Sequence, residues 1–242
     1  MEDMHIHSTF SDGRDTLADN LVVARARGLQ RVGCVDHVRY DTDWLPEFVE
    51  TVQHQRLRHP RMQILAGVEA KLVDTGGSID APKRLYGVDR IYIADHKLPT
   101  PVGPRKPQWV RRALRDRSLT PEQVLWMLVS ATTAAIAAAR RPVVVAHLFS
   151  LLPKVGLRED EVTDAMLGRL VAAAVNHGAW VELDERWRCP GPRVARAFVQ
   201  AGVPVVLSTD SHIADAIGQY RWAPYCLDTA RCGPRATAEV AA

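Results

Sequence analysis

Short apolar segments alternate with segments of helical periodicity along most of the chain, and this alternation restricts the fold more than any other feature. Seven apolar runs have the length of β-strands, at residues 4–8, 31–35, 63–68, 90–94, 143–146, 180–183 and 203–208. Strands that are separated by helices form parallel sheets, which are either closed into a barrel or doubly wound. The alternation therefore predicts an α/β protein built on a parallel sheet.

Helices are predicted between these strands, at residues 16–27, 45–59, 121–140, 159–176 and 193–201. Residues 74–86 contain glycine, proline and aspartate, which predicts a loop. Residues 98–120 form a basic, proline-containing insertion with an exposed helix predicted at 110–117. Residues 229–242 lack apolar periodicity, which predicts a disordered tail after a single domain at residues 1–228.

The composition is typical of one globular domain. The chain has 242 residues, of which 47% are hydrophobic and 24% charged, and this is enough to bury a sizeable core. A net charge of +3 is too small to indicate nucleic-acid binding by itself. Because no run of about 18 apolar residues occurs, no membrane span is expected. Four cysteines without paired metal-ligand spacing favour a cytoplasmic protein with reduced thiols.

His5 and His7 lie two residues apart on the first predicted strand. Residues at positions i and i+2 of a strand point to the same face, so the two imidazoles are expected side by side. Asp12 and Gly13 follow in a turn, which adds a carboxylate to the pair. This spacing suits a metal site, although on its own it is also compatible with two solvent-facing histidines.

More histidines and carboxylates occur where the other predicted strands end. In parallel α/β barrels, active sites form at the C-terminal ends of the strands. Neutral imidazole and carboxylate groups suit divalent Zn, Mn or Fe. One ion cannot take all of these ligands, so two to three ions that share bridging groups are expected. The candidate metal ligands are His5, His7, Asp12, His37, Glu69, His96, His147, Asp210 and His212.

In their order, spacing and strand-end placement, these motifs resemble the polymerase-and-histidinol-phosphatase (PHP) superfamily. The matching segments are His5-Ile6-His7, Ser11-Asp12-Gly13, Asp36-His37, Gly67-Val68-Glu69, Asp95-His96, His147 and Asp210-Ser211-His212. The resemblance implies a distorted (β/α)7 barrel and a trinuclear metal site. It assigns His5, His7, Glu69 and Asp210 to the first ion, Glu69, His96 and His147 to the second, and Asp12, His37 and His212 to the third.

This resemblance implies a metal-dependent hydrolase in which metal-bound hydroxide attacks phosphorus. A phosphatase that acts on a small phosphorylated metabolite is the leading hypothesis. Asp36 and Asp95, which precede ligand histidines, are the candidate catalytic residues. They would orient those histidines, or Asp95 would protonate a leaving group, and a plain turn role is equally open.

Arginines and one tryptophan near the predicted strand ends are candidate substrate contacts. Arg14 follows the Asp12-Gly13 turn, and Arg186 and Arg188 follow the sixth predicted strand. The guanidinium group suits bidentate recognition of phosphate, and Trp109 in the basic insertion could stack on a base or sugar.

Three alternatives remain open at the level of the sequence. A nucleotide phosphodiesterase or nuclease would use the same ions, with the basic insertion at residues 98–120 gripping a polyanion; nucleic acid is the less favoured substrate. Hydrolysis of a non-phosphate ester or amide is a second alternative. A non-catalytic, metal-stabilised domain is the third. The sequence does not indicate an oligomeric state.

Overall fold

The computed structural model describes residues 1–232, and a sheet of seven parallel strands forms its centre. The described residues contain nine strands in all: β1 (Glu2–Ile6), β2 (Arg31–His37), β3 (Gln63–Lys71), β4 (Arg90–Ala94), β5 (Leu98–Thr100), β6 (Gly103–Arg105), β7 (Val143–Val145), β8 (Trp180–Asp184) and β9 (Val205–Ser208). The sheet order is β1-β2-β3-β4-β7-β8-β9, and β5 and β6 form a separate antiparallel hairpin. The seven strands of the large sheet correspond to the seven that the apolar runs predict.

The two edges of the sheet come together beyond the end of β1. The His7 amide donates to the Ser211 carbonyl over 2.8 Å, and Ile6 pairs with Ser211 in a parallel bridge. Asp3 lies buried between the edges and accepts hydrogen bonds from the amide and hydroxyl of Thr209. The sheet therefore nearly closes into a barrel, which confirms the predicted (β/α)7 architecture.

Eight helices lie in the described part of the chain: α1 (Leu17–Ala26), α2 (Leu45–Arg58), α3 (Pro107–Arg115), α4 (Pro121–Ala138), α5 (Leu151–Val155), α6 (Asp164–His177), α7 (Pro192–Gln200) and α8 (Ala223–Cys232). Their apolar faces and the outward-facing strand residues form the main core. None of these helices is long and apolar enough to cross a lipid bilayer.

The structure differs from the prediction in one helix and in the start of the tail, and local hydrogen bonding explains the difference in the helix. The predicted helix at 159–176 is divided, because Thr163 caps α6 by accepting a hydrogen bond from the Met166 amide. The predicted disordered tail begins too early, since α8 continues to Cys232 and buries Leu227 and Ala230. The rest of that predicted tail, residues 233–242, lies outside the described residues.

The basic insertion has more regular structure than the sequence predicts. Residues 98–105 contain the β5–β6 hairpin, and α3 begins at Pro107, three residues before the predicted start. Proline is favoured at the first position of a helix, because its missing N–H has no partner there in any case. The exposed helix that the charges of the insertion predict is therefore confirmed, with its beginning shifted to the proline.

Tyr92 fills the interior of the barrel below its open end. The buried ring packs with Met4 and Val35 in a small interior cluster, and its hydroxyl donates to the Met4 carbonyl. Gly67 faces this ring from the neighbouring strand β3, and a Cβ atom there would lie 2.7 Å from the Tyr92 Cε2 atom. The absence of a side chain at Gly67 thus leaves room for the tyrosine in the interior.

We expect Gly67→Ala to lower the free energy of unfolding by about 1–3 kcal/mol, because the added methyl overpacks the barrel interior. Gly168→Ala is the matched control, since Gly168 lies within α6 and a Cβ there would meet nothing within 4 Å. That variant should gain about 0.5–1 kcal/mol from helix propensity. Urea unfolding of both proteins measures the difference. Equal effects of the two substitutions would contradict this description of the barrel interior.

Candidate metal centre

The turn after β1 carries the first part of the centre and is held by Asp36. This buried carboxylate at the end of β2 accepts hydrogen bonds from the Ser8 amide (3.0 Å), the Ser8 hydroxyl (2.7 Å) and the Ser11 hydroxyl (2.6 Å). Gly13 lets the turn fold back closely, because a Cβ atom there would lie 2.7 Å from the carbonyl group of His7. Asp36 therefore positions the turn that carries Asp12.

Glu69 lies at the middle of the centre, almost fully buried at the mouth of the barrel. Its Oε1 atom is 3.0 Å from Nε2 of His96 and 3.0 Å from Nε2 of His147. Its Oε2 atom is 2.8 Å from Nδ1 of His37. That same oxygen is 3.5 Å from Nε2 of both His5 and His7. One carboxylate thus lies against five imidazoles from four strands or strand ends.

Several polar atoms of these residues are buried without a hydrogen-bond partner. Their number and placement test whether the residues suit a metal ion. They include Nε2 of His5, Nδ1 of His7, Nδ1 of His37 and Oε2 of Glu69. A buried polar atom without a partner is costly in the absence of a ligand. Nitrogen and oxygen atoms that converge without hydrogen bonding one another are what divalent cations require. The residues therefore fit a metal centre.

An outer group of candidate ligands surrounds Asp12 at the edge of the centre. Oδ1 of Asp12 is 3.3 Å from Nε2 of His212, and its Oδ2 is 3.5 Å from Nε2 of His37. His7 completes this group. Each of the four residues offers one ligand atom, and these four atoms lie within 4.8 Å of one another. Asp12 is the exposed member, with 55% of its side chain accessible, so this part of the centre faces solvent.

The structure brings all nine sequence-predicted ligands to one end of the barrel, but their grouping differs in part from the one that the family resemblance implies. Within the described residues, the groups that could hold an ion are His7, Asp12, His37 and His212; His5, His7 and Asp210; and His37, Glu69 and His96. His37 and His7 each belong to two groups. The three groups in the structure thus share more imidazoles than the three groups that the family resemblance implies.

Glu182 is a buried residue at the centre that sequence reasoning does not single out. It is fully buried in β8, and its Oε2 accepts a hydrogen bond from Nδ1 of His5 over 3.0 Å. A proton on Nδ1 leaves the lone pair of Nε2 free for a metal ion. The only sequence signal was a glutamate inside an apolar strand, where an unpaired charge would be expensive.

Asp210 is held by groups from the loop after β8. Its Oδ1 is 3.0 Å from Nε2 of His7, while Oδ2 accepts a hydrogen bond from the Trp187 indole over 2.8 Å. The backbone at Asp210 is left-handed, with φ of 47°, and His147 is also left-handed at 28°. Non-glycine residues seldom adopt this conformation, and strained positions of this kind concentrate at functional sites.

Asp95 supports His147 from behind. Its Oδ1 lies 3.8 Å from Nδ1 of His147 and accepts a hydrogen bond from the Ser150 hydroxyl over 2.7 Å. Its other oxygen accepts from the Leu151 amide. The two aspartates predicted as catalytic therefore make different contacts: Asp95 lies beside a candidate ligand, whereas the hydrogen bonds of Asp36 go to the β1–α1 turn.

Buried carboxylates dominate the electrostatics of the centre. Burial opposes ionisation of Glu69, but the surrounding imidazoles outweigh it and hold its pKa well below the usual value. Burial also opposes ionisation of Asp210, whose pKa is nevertheless lowered by the contact with His7 and by nearby imidazole charge. Burial would lower the pKa of His5, yet Glu182 raises it well above the usual value. Ionised carboxylates thus create a negative potential that favours cations.

The predicted substrate arginines line or approach the mouth of the barrel. Arg14 and Arg186 line a cleft of about 630 Å³ together with Asp210 and His212. The Arg186 Nη1 atom lies 2.8 Å from Nδ1 of His212 and 3.3 Å from Oδ2 of Asp210. Arg188 is exposed on the same loop and does not belong to the lining of this cleft. Arg14 and Arg186 are therefore the better placed of the three.

Trp109 lies on α3, half-buried against the hydrophobic core. The Arg105 guanidinium group lies over its ring at 5.2 Å from the centroid. Trp109 does not line the cleft described above, so its predicted stacking on a substrate has no support in its contacts.

The sequence matches a model of the PHP domain over residues 3–176. This match covers most of the chain and includes seven of the nine candidate ligands, from His5 to His147. The chain belongs to the PHP domain family. No curated protein matches it at the level of sequence.

The fold of this PHP protein is shared by a solved structure with a TM-score above 0.5. Histidinol phosphate phosphatase from Lactococcus lactis, complexed with Zn, L-histidinol and phosphate, has a TM-score of 0.59 at 15% identity, over 95% of this chain and 93% of that one. A candidate metal-dependent phosphoesterase from Bifidobacterium adolescentis has a TM-score of 0.42 at 15% identity, over 96% and 95%. D-hydantoinase from a Bacillus species has 0.45 at 9%, over 90% and 62%. Family membership and the centre together support a metal-dependent phosphoesterase.

We expect Glu69→Gln to lower the amount of divalent metal that remains bound after dialysis, because the amide removes the charge shared by five imidazoles. Glu122→Gln on the exposed first turn of α4 is the matched control and should keep the wild-type metal content. Elemental analysis of the purified proteins gives the stoichiometry. Equal metal content in the two variants would contradict the assignment of Glu69 as a ligand.

We expect Glu182→Gln to weaken metal affinity by roughly 10- to 100-fold, the range typical of residues that orient a ligand histidine. Glu47→Gln on the exposed surface of α2 serves as the control. Titration against a competing chelator measures the affinity of each protein. An affinity equal to that of the control would show that Glu182 does not act on the centre through His5.

Proposed function

We propose that this PHP protein is a phosphatase that hydrolyses small phosphorylated molecules with two or three divalent ions held at the mouth of the barrel. The observation that carries the proposal is the convergence of buried, unpartnered imidazole and carboxylate atoms around Glu69, beside a cleft lined by Arg14 and Arg186. Divalent ions bound there would lower the pKa of bound water and neutralise charge on phosphoryl oxygens.

The nine candidate residues supply a ligand set with more than one position for an ion. Glu69 presents both carboxylate oxygens to imidazoles, Oε1 to His96 and His147 and Oε2 to His37, and this favours a bridging role. Imidazole with carboxylate suits Zn, Mn or Fe. The histidinol phosphatase neighbour is complexed with Zn and phosphate, which supports zinc as the first metal to test.

Arg186 and Arg14 are proposed to bind the phosphoryl group. The Arg186 side chain is half-exposed and reaches both Asp210 and His212, so a phosphate beside these residues would lie within its range. Arg14 is exposed, forms no ion pair among the described residues and is held at the mouth by its amide, which donates to the His212 carbonyl over 2.9 Å. Guanidinium groups in these positions stabilise charge that builds up on phosphoryl oxygens.

Asp95 is proposed to position His147 rather than to transfer a proton to the leaving group. It is 4% exposed, and both of its oxygens are engaged, one by the Ser150 hydroxyl and the other by the Leu151 amide. A carboxylate enclosed in this way has little access to a substrate oxygen, whereas its Oδ1 lies 3.8 Å from Nδ1 of His147. The proton for the leaving group would therefore come from elsewhere.

A nucleotide phosphodiesterase or nuclease is the second candidate, and the position of α3 favours it. Arg111 on α3 donates from Nε to the Lys154 carbonyl over 2.7 Å, and the Lys154 ammonium lies 3.7 Å from the centroid of the Trp187 ring. Trp187 in turn donates to Asp210. Basic residues thus extend from the insertion to the centre, and a long polyanion could follow them.

Zinc- or manganese-loaded protein should hydrolyse phosphomonoesters, and Arg186→Ala should raise KM for them, because a charged hydrogen bond to phosphate is lost. Arg193→Ala, on α7 with its ion pair to Asp164, is the control and should keep the wild-type KM. A panel of phosphomonoesters, phosphodiesters and carboxylic esters measures the preference. No turnover of any phosphoester by metal-loaded protein would refute the proposed function.

The same panel distinguishes the alternatives. A phosphodiesterase that grips a polyanion should lose affinity steeply as salt rises, whereas turnover of a small monoester should depend weakly on salt. Turnover of carboxylic esters or amides alone would indicate the non-phosphate hydrolase. Metal binding without turnover of any of these substrates would indicate a structural domain.

A further inference from the structure

A second cleft opens at the centre on the side away from Arg186. It has a volume of about 460 Å³ and is lined by Asp12, His37 and His96 of the centre together with residues outside it. The Arg186 cleft lies at the ends of β8 and β9, whereas this one lies at the ends of β2, β3 and β4. We call it the Lys71 cleft. A molecule that occupies it contacts candidate metal ligands directly.

Lys71 and Arg39 make this cleft cationic. Lys71 follows Glu69 by two residues at the end of β3, so both residues lie on the inward face of the strand. Lys71 is half-buried, and neither it nor Arg39 has a carboxylate within 4.0 Å among the described residues. The described lining contains a single carboxylate, Asp12, which belongs to the candidate metal ligands. Two free cations therefore face a space that is open to the centre.

Aromatic rings form the remaining wall of the cleft. Phe10 and Trp44 both line it and are packed against each other, with ring centroids 5.5 Å apart. Each is half-buried, and Phe48 supports both from the interior of the protein. The cleft thus combines an apolar surface suited to a carbon skeleton with two cations suited to an anion.

We propose that the Lys71 cleft binds the leaving-group part of the substrate and that this part carries a second negative charge, which Lys71 and Arg39 recognise. The inference rests on the proposed phosphatase function and specifies its substrate class: phosphomonoesters of an alcohol that bears a carboxylate or a further phosphate. The scissile phosphoryl group lies at the centre near Arg14 and Arg186, and the distal anion lies beyond Asp12. Phe10 and Trp44 pack against the carbon atoms between the two.

A matched pair of substrates tests this assignment on the metal-loaded full chain. Phenyl phosphate and 4-carboxyphenyl phosphate differ by one carboxylate. The wild-type protein should prefer the carboxylated ester in kcat/KM by roughly ten-fold or more, the size expected for one charge-assisted hydrogen bond. The preference should fall towards unity in Lys71→Met and in Arg39→Met. Comparing each variant with the wild type cancels any difference in leaving-group reactivity.

Control variants remove the same charges elsewhere on the surface. Lys83→Met and Arg61→Met lie outside both clefts at the centre, and both residues are exposed. They should retain the wild-type preference for the carboxylated ester. 1,4-Phenylene bisphosphate provides a third arm: if it is preferred over the carboxylated ester, the distal anion is a phosphate, and otherwise it is a carboxylate.

Binding of molecules that are not hydrolysed separates this inference from the proposed function. Calorimetric titration with benzylphosphonate and 4-carboxybenzylphosphonate should show the same roughly ten-fold preference, again lost in Lys71→Met. If no phosphoester is turned over, the proposed function fails, while the titration still decides the role of the cleft.

Two results would overturn the proposal. One is an absence of preference for the carboxylated compound by the wild-type protein in both assays. The other is an equal loss on both members of each pair in Lys71→Met, which would place Lys71 with the phosphoryl group or with the metal ligands. If Lys71→Met fails to fold, the same comparison is made with Arg39→Met, because Arg39 is an exposed loop residue.

Discussion

Glu69 is a carboxylate without a hydration shell, and the surrounding structure compensates its charge. Burial of a lone carboxylate costs several kcal/mol, yet this one is about 1% exposed. The compensation comes from imidazoles on β1, β2 and the segments after β4 and β7, with five ring nitrogens within 3.5 Å. Because these groups come from distant parts of the chain, the barrel must close before the charge is compensated. Folding and assembly of the centre are therefore coupled.

Closure of the sheet depends on the same end of the molecule. The amide of His7, a candidate ligand, donates to the Ser211 carbonyl, and Asp3 joins β1 to Thr209 and Gly218 beyond β9. Ser211 lies between the candidate ligands Asp210 and His212. The hydrogen bonds that complete the barrel thus bring His7 against Asp210. A PHP protein that lacked these hydrogen bonds between β1 and the segment after β9 would lose the arrangement of its candidate ligands along with its fold.

Loops of different origin form much of the surface around the candidate metal centre. The β1–α1 turn supplies Asp12 and Arg14, the β2–α2 loop supplies Arg39, and the loop after β8 supplies Arg186 and Trp187. Three candidate ligands, His5, His37 and Glu69, lie on strands, and the others follow strand ends. The loops add arginines and aromatic side chains around them, and Lys71 lies at the end of β3. The proposed recognition of phosphate thus draws on the loop after β8 and that of the leaving group on the β2–α2 loop, while the β1–α1 turn contributes to both clefts.

Local sequence patterns determined the strands, most of the helices and the nine candidate ligands, because periodicity and strand-end position are properties of neighbouring residues. His5 and His7 illustrate this, since a spacing of two on a strand already places them on one face. Glu182, Trp187 and Lys71 could not be assigned in this way. Their roles come from contacts with His5, Asp210 and the mouth of the barrel, and those contacts exist only after strands far apart in the chain have become neighbours. The sequence by itself thus determined the fold class and the residue types of the candidate metal centre. Only the tertiary structure decided which imidazoles share Glu69 and which cations lack a carboxylate, because pairing between distant charges depends on distances that local patterns do not specify.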